Sequence, residues 1–249
     1  MRTTIANQKG GVAKTETTRW LLINLAAMGY RVLGVDFDPQ SSLSKRMLEC
    51  YDETAPTVAD LMDPEPRVAW NQVALPIAER LHILPANKRL EAAKREMTIN
   101  PLGVLSLSKV LNAIEGTRQY DIILIDTPPD LGALTLAAIV ASTHILVAAQ
   151  PEADSLAGVE RVKESVTNLT DLLQTFGWQP PKLLGIVATM VEPGIKQHEQ
   201  NLARMRHLPG LPLLGTIPKR KGERRDAELR AAYQPVAEAI AKEHAHYGN

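Results

Sequence analysis

Asn7-Gln8-Lys9-Gly10-Gly11-Val12-Ala13-Lys14-Thr15-Glu16-Thr17 is the stretch that decides how this sequence folds. It follows an apolar run at residues 3–6 and leads into a segment of helical period at 18–28. That is the strand–loop–helix context in which a glycine-rich loop cradles phosphate. Adjacent glycines let the backbone curl so that successive N–H groups point inward, and the helix start adds positive potential for an anion. Lys14 is placed to reach the β- and γ-phosphates of a nucleotide, and the Thr15 hydroxyl to ligate Mg²⁺. The pattern G-x-x-x-x-G-K-[ST] fails at both glycines, where Gln8 and Ala13 stand. The form K-G-G-x-x-K-[ST] fits instead, with Lys9 as a second lysine. The rival reading is a plain glycine turn with incidental lysines.

Outward from the loop, short apolar runs recur at 31–35, 81–84, 122–125, 144–148, 183–187 and 211–217. Most are continuously apolar rather than alternating, the pattern of strands buried on both faces of a parallel sheet. Segments of helical period lie between them, among them 89–97, 134–141, 156–175 and 227–242. Such alternation gives right-handed βαβ units and an α/β fold, a doubly wound, mostly parallel sheet flanked by helices. Residues 52–76 carry four prolines and mixed charge. They read as a surface excursion with short helices rather than a linker, because sheet-type runs resume after them.

The 249 residues suit one domain with a sizeable core, so a single domain over 1–249 is expected. The 28 Lys+Arg balance the 28 Asp+Glu, which excludes a strongly basic nucleic-acid binder and leaves room for a local patch. The single Cys50 allows no intramolecular disulfide, and no Cys/His cluster has zinc-ligand spacing. The chain enters the glycine loop at once, with no room for a signal peptide, and no apolar run is long enough to span a membrane. A cytoplasmic protein is expected.

The deviant loop and two downstream segments resemble the ParA/MinD family of dimerising ATPases, most closely its ParA (Soj-like) partition branch. Asp36-Phe37-Asp38-Pro39-Gln40-Ser41-Ser42 is similar to that family's first switch, and Asp121-Ile122-Ile123-Leu124-Ile125-Asp126-Thr127-Pro128-Pro129 to its Walker B strand and second switch. Weaker likeness covers 81–97, Thr189-Met190 and Ile217-Pro218. The resemblance implies nucleotide contacts from Lys9, Gly10, Gly11, Val12, Ala13, Lys14, Thr15 and Glu16, and from Met190, Pro218 and Lys219. It implies Mg²⁺ held by Thr15, Asp126 and Asp38, with Asp38 also orienting the attacking water. Lys9 would reach across a dimer interface to the partner's phosphates. The catalytic set is then Lys9, Lys14 and Asp38, acting on ATP. Asp36 and Asp38 have a plainer alternative, capping the next helix or turning the chain around Pro39.

Two positions depart from the branch. Glu16 stands where Thr or Ser usually touches the α-phosphate; a side chain swung away is expected, and Glu16→Thr is expected to tighten ATP binding. Ala13 replaces a glycine at a position expected to need only a small residue. The resemblance also implies an ATP-dependent homodimer, non-specific DNA binding and a ParB-like partner, in a nucleoid-associated protein with no membrane attachment. Lys219, Arg220, Lys221, Arg224 and Arg225 are the DNA-binding candidates, against the alternative of a solvated helix start. No helix-turn-helix domain is expected before the loop. The rivals are a MinD-like division ATPase, disfavoured by the Ala-rich tail at 237–249, and a non-hydrolysing nucleotide-gated module. Metabolic relatives with paired cysteines or an added substrate domain are disfavoured by one Cys and 249 residues.

Overall fold

Strand β1 (Arg2–Ala6) hydrogen-bonds to β5 (Ile122–Asp126) on one side and β6 (His144–Ala149) on the other. The remaining strands are β2 (Val32–Asp36), β3 (Leu75–Ala78), β4 (Leu81–Leu84), β7 (Lys182–Val191) and β8 (Leu213–Pro218). Their order across the sheet is β3-β4-β2-β5-β1-β6-β7-β8, and every neighbouring pair is parallel except β3 with β4. The computed structural model describes residues 1–152, 155–174, 177–219 and 226–247.

Strands β2, β5 and β6 are apolar over most of their length because both faces are covered. Leu33, Val35, Ile123, Ile125, Ile145 and Val147 enter one core, while Val32, Ile122, Leu124, Leu146 and Ala148 enter the other. That division follows from the two-residue period of a strand. Over the second face lie α1 (Lys14–Ala27), α2 (Ser42–Met47) and α10 (Asp226–Tyr247). The first face carries α5 (Leu90–Ile99), α6 (Ser106–Gly116), α7 (Ala133–Ala141), α8 (Ser155–Leu173) and α9 (Lys196–Arg206). Helix α7 is apolar nearly all round because it is wedged between the sheet and its neighbouring helices. Gly34 on β2 lets α1 seat closely, since a Cβ there would stand 2.6 Å from Leu22 Cδ1.

The chain moves from β1 to β2 in one direction and from β5 to β6 in the other, so a crevice opens at the carboxyl ends of the central strands. The glycine loop follows β1 at that edge, and Asp36 and Asp126 end β2 and β5 there. Three details differ from the periodicity. Helix α1 starts at Lys14, four residues before the apolar pattern begins, because its first turn is polar and faces the loop. Helices α6 and α9 are additional to the segments read from the sequence, although Leu107, Leu111 and Ile114 form a regular buried stripe on α6. The short helices expected in residues 52–76 are α3 (Val58–Leu61) and α4 (Trp70–Val73); the difference there is β3, which no apolar run marked. The sheet edge tolerates Pro76 in β3, beside an irregularity in register.

Candidate functional site

Three strand ends hold the glycine loop. Asn7, just past β1, donates Nδ2–H to the Ala148 carbonyl at 2.6 Å and accepts Lys9 N–H on Oδ1 at 3.0 Å. Gln150, following β6, donates to the Gly11 carbonyl at 3.2 Å, and Thr189 of β7 donates to the Val12 carbonyl at 2.9 Å. With its carbonyls tied to the sheet, the loop turns through Gly11 at φ 74° and Ala13 at φ 60° into α1. Ala13 is the N-cap and has no side chain to cap with, which leaves the first-turn N–H groups to an anion.

The backbone at Ala13 corrects one expectation. The position does not merely need a small residue; it needs a left-handed conformation that costs an L-residue about 1–2 kcal/mol. Ala13→Gly is therefore expected to stabilise the protein by roughly 1 kcal/mol after glycine's extra unfolded-state entropy is subtracted, raising Tm by about 2–4 °C. Differential scanning calorimetry of the variant would show it, and an unchanged or lower Tm would dismiss the strain.

Four charged groups meet at the loop. Lys14 is buried, its ammonium donating to the carbonyls of Asn7 at 3.3 Å and Lys9 at 3.4 Å. Burial holds its pKa below the usual lysine value, while Asp126 and Asp38 pull it upward. Asp126 ends β5 and is fully buried; its carboxylate accepts the Thr15 hydroxyl at 2.7 Å and the Thr18 hydroxyl at 3.2 Å. Burial pushes Asp126 up to about 8, with Asp36 adding to the effect, and pushes Asp36 up to about 6. The two aspartates are register partners on β2 and β5. Asp36 accepts both the backbone N–H and the hydroxyl of Ser44 at 2.7 Å, so it ties α2 to the end of β2. Asp38 accepts Gln40 N–H at 2.9 Å in a turn around Pro39, and burial raises its pKa.

Thr15 and Asp126 supply hard oxygen donors of the kind Mg²⁺ takes, and that ion carries most of its ligands as phosphate oxygens and waters. Among the described residues no group of three or more His, Cys, Asp or Glu is assembled to bind a metal alone. The donor set suits a cation that arrives with a nucleotide.

Beside the loop a cavity of about 200 Å³ opens between Ala13, Glu16 and Trp20 of the α1 region and Thr189, Met190, Ile217 and Pro218 at the ends of β7 and β8. Its mainly apolar walls suit a flat heteroaromatic base. Lys219 adjoins it, paired with Glu192 at 2.7 Å. Lys9 is half exposed, pairs with Glu152 and borders a second cavity with Gly158 and Arg161 of α8. Arg220, Lys221, Arg224 and Arg225 lie outside the described residues.

The AAA domain family (AAA_31) matches residues 2–176. The sporulation initiation inhibitor protein Soj of Bacillus subtilis is 31% identical over 76% of this chain and 72% of its own. The maintenance of carboxysome distribution protein A of Synechococcus elongatus is 30% identical over 86% of this chain and 84% of its own. A cobyrinic acid a,c-diamide synthase of Mycobacterium smegmatis, crystallised with ADP and magnesium, superposes with a TM-score of 0.83 at 28% identity, covering 100% of this chain and 96% of that one. The chain belongs to the ParA/MinD family of P-loop ATPases.

Several residues of this ParA/MinD site escape a reading of motifs. Gln150 follows β6 and could be found from the rule that ligand-facing groups sit at carboxyl ends of parallel strands. Thr18 shares Asp126 with Thr15 and carries no motif signal. Arg46, Trp20 and Tyr233 reach the cavity from α2, α1 and α10. Their convergence depends on helix packing that no local spacing encodes.

Proposed function

We propose that residues 1–249 act as one partition ATPase, which binds Mg–ATP at loop 7–17 and dimerises face to face around two nucleotides. The dimer binds duplex DNA without sequence preference through Lys219, Arg220, Lys221, Arg224 and Arg225, and a ParB-like partner stimulates hydrolysis. In this reading Lys14 contacts the β- and γ-phosphates, while Thr15 and Asp126 hold Mg²⁺, which offsets phosphate charge. Asp38 orients the attacking water and adds to the metal shell. Met190, Pro218 and Lys219 border the base, and Gly10, Gly11, Val12, Ala13 and Glu16 line the phosphates.

The observation that carries the proposal is the division of labour between two lysines of one loop. Lys14 is buried against the loop's own carbonyls, while Lys9 is half exposed and paired with Glu152, which supports a role for Lys9 outside its own site. Reaching a partner's phosphates requires Lys9 to leave Glu152, an exposed pair contributing at most about 1 kcal/mol. The carboxysome-distribution relative supports a positioning role for this chain.

Size-exclusion chromatography and DNA binding with ATP, ADP or no nucleotide test the reading. Asp38→Ala with ATP is expected to give a trapped dimer that binds arbitrary duplex DNA. Arg224→Glu/Arg225→Glu is expected to abolish that binding, and added salt to weaken it steeply. A dimer indifferent to DNA would defeat the partition reading. Liposome sedimentation separates the MinD-like alternative, although no helix among the described residues is long and apolar enough to cross a membrane. Phosphate release separates a non-hydrolysing module.

A further inference from the structure

Glu16 is the third residue of α1, on the helix end that faces the loop, and it lines the cavity together with Ala13, Trp20 and Arg46. A carboxylate there opposes any phosphate bound at the same helix end. In this fold it is compensated. Arg46, brought in by α2, donates Nη1 to Glu16 Oε1, and Arg19 Nη1 lies 3.8 Å from Oε2. Arg19 continues the chain of charges to Asp226 Oδ2 at 3.9 Å, and its guanidinium lies 4.6 Å from the centre of the Trp20 ring. Trp20 Nε1, buried at the cavity wall, has no hydrogen-bond partner among the described residues.

Helix α2 is positioned by the same segment that carries Asp38. Asp36 grips Ser44, and Arg46 follows two residues later, so the guanidinium is delivered from the site's own switch-like segment rather than from a distant surface. Arg46 is 53% exposed, and an ion pair so placed contributes little to folding. Its consequence lies in the charge it sets at the cavity mouth.

We infer that Arg46 is a nucleotide-contacting residue that works as a unit with Glu16. In the free protein it cancels the carboxylate. With nucleotide bound, its planar fork serves Glu16 and the phosphate nearest the cavity together. The inference rests on the nucleotide reading of loop 7–17. It accounts for a carboxylate at a phosphate-facing helix end, and it makes the two substitutions interdependent.

Calorimetric titration of Mg–ATP into the full-length protein provides the test, with Glu16→Thr, Arg46→Ala, the double variant and Lys14→Ala compared at equal thermal stability. Arg46→Ala, which leaves Glu16 with only the more distant Arg19, is expected to weaken binding about tenfold. Glu16→Thr is expected to tighten it, and the double variant to return within about threefold of wild type. Arg46→Lys, keeping charge without the fork, is expected to fall between wild type and Arg46→Ala. Unchanged affinity in Arg46→Ala would overturn the inference, as would a double variant no better than Arg46→Ala alone. A wild-type protein that binds no ATP, or a Lys14→Ala variant that binds it as well, would instead overturn the nucleotide reading and the inference with it.

Discussion

Replacement of Lys14 by alanine is expected to weaken Mg–ATP binding by roughly a hundredfold or more while leaving the fold intact. The ammonium group is buried, and it donates to loop carbonyls at 3.3 and 3.4 Å, long contacts for a full charge. Burial lowers its pKa, so the protein keeps a cation there at a cost. Phosphate oxygens would turn those marginal contacts into charge-assisted bonds. In the free protein the substitution has two opposing effects. It removes a desolvated ammonium, and it takes a neutralising charge from Asp126 and Asp38. Tm is accordingly expected to move by a few degrees at most while affinity collapses. Equilibrium titration alongside thermal unfolding measures both. Affinity within threefold of wild type would remove Lys14 from the site.

Asp126→Asn is expected to do the reverse to stability. The variant should gain roughly 1–3 kcal/mol in the nucleotide-free state and lose Mg²⁺-dependent nucleotide binding. Asp126 is fully buried beside Asp36, and burial pushes its carboxyl up to about 8, against 3.8 for an ordinary aspartate. Across that interval the folded chain holds a proton that the unfolded chain has released. The contribution of Asp126 to wild-type stability therefore falls as pH rises from about 4 to about 8. Asp36, held at about 6, contributes in the same direction over the lower part of the window. Asparagine has no such proton to lose, so the gain over wild type should be larger at about pH 8 than at about pH 5. Urea unfolding at both pH values measures the difference. Equal gains would show that burial of a charge is not what Asp126 costs. In the proposed function Thr15 and Asp126 would hold Mg²⁺, whose charge would offset that of the buried carboxylate.

The central sheet was legible because its signals are local. Residues 122–125 and 145–148 are apolar at every position, and only strands covered on both faces are composed that way. The ends of helices were less legible. Helix α1 begins with Lys14, Thr15, Glu16 and Thr17, whose polarity hides the first turn from any apolar period. Helix α9 buries His198 and Asn201 alongside Leu202 and Met205, a mixed face with weak periodicity. Within the site, the glycines, Lys14, Thr15 and Asp126 could be picked out because each occupies a fixed offset from a strand end. Asp36 could not be assigned from the sequence, since a carboxylate after a strand can meet a metal or cap a helix. In the structure Asp36 accepts the N–H and hydroxyl of Ser44 in the first turn of α2, as the capping alternative expects.

By itself the sequence determined the glycine loop after β1, the buried carboxylate at the end of β5 and the parallel sheet between them. Each follows from residue type, spacing and hydrophobic period along a continuous stretch. Only the tertiary structure decided that Ala13 is left-handed, that Glu16 meets Arg46, and that a cavity lies between α1 and the ends of β7 and β8. Those features depend on which groups packing brings together from distant parts of the chain. A carboxylate's partner, unlike a strand's period, is chosen by the three-dimensional neighbourhood and leaves no mark in the residues beside it.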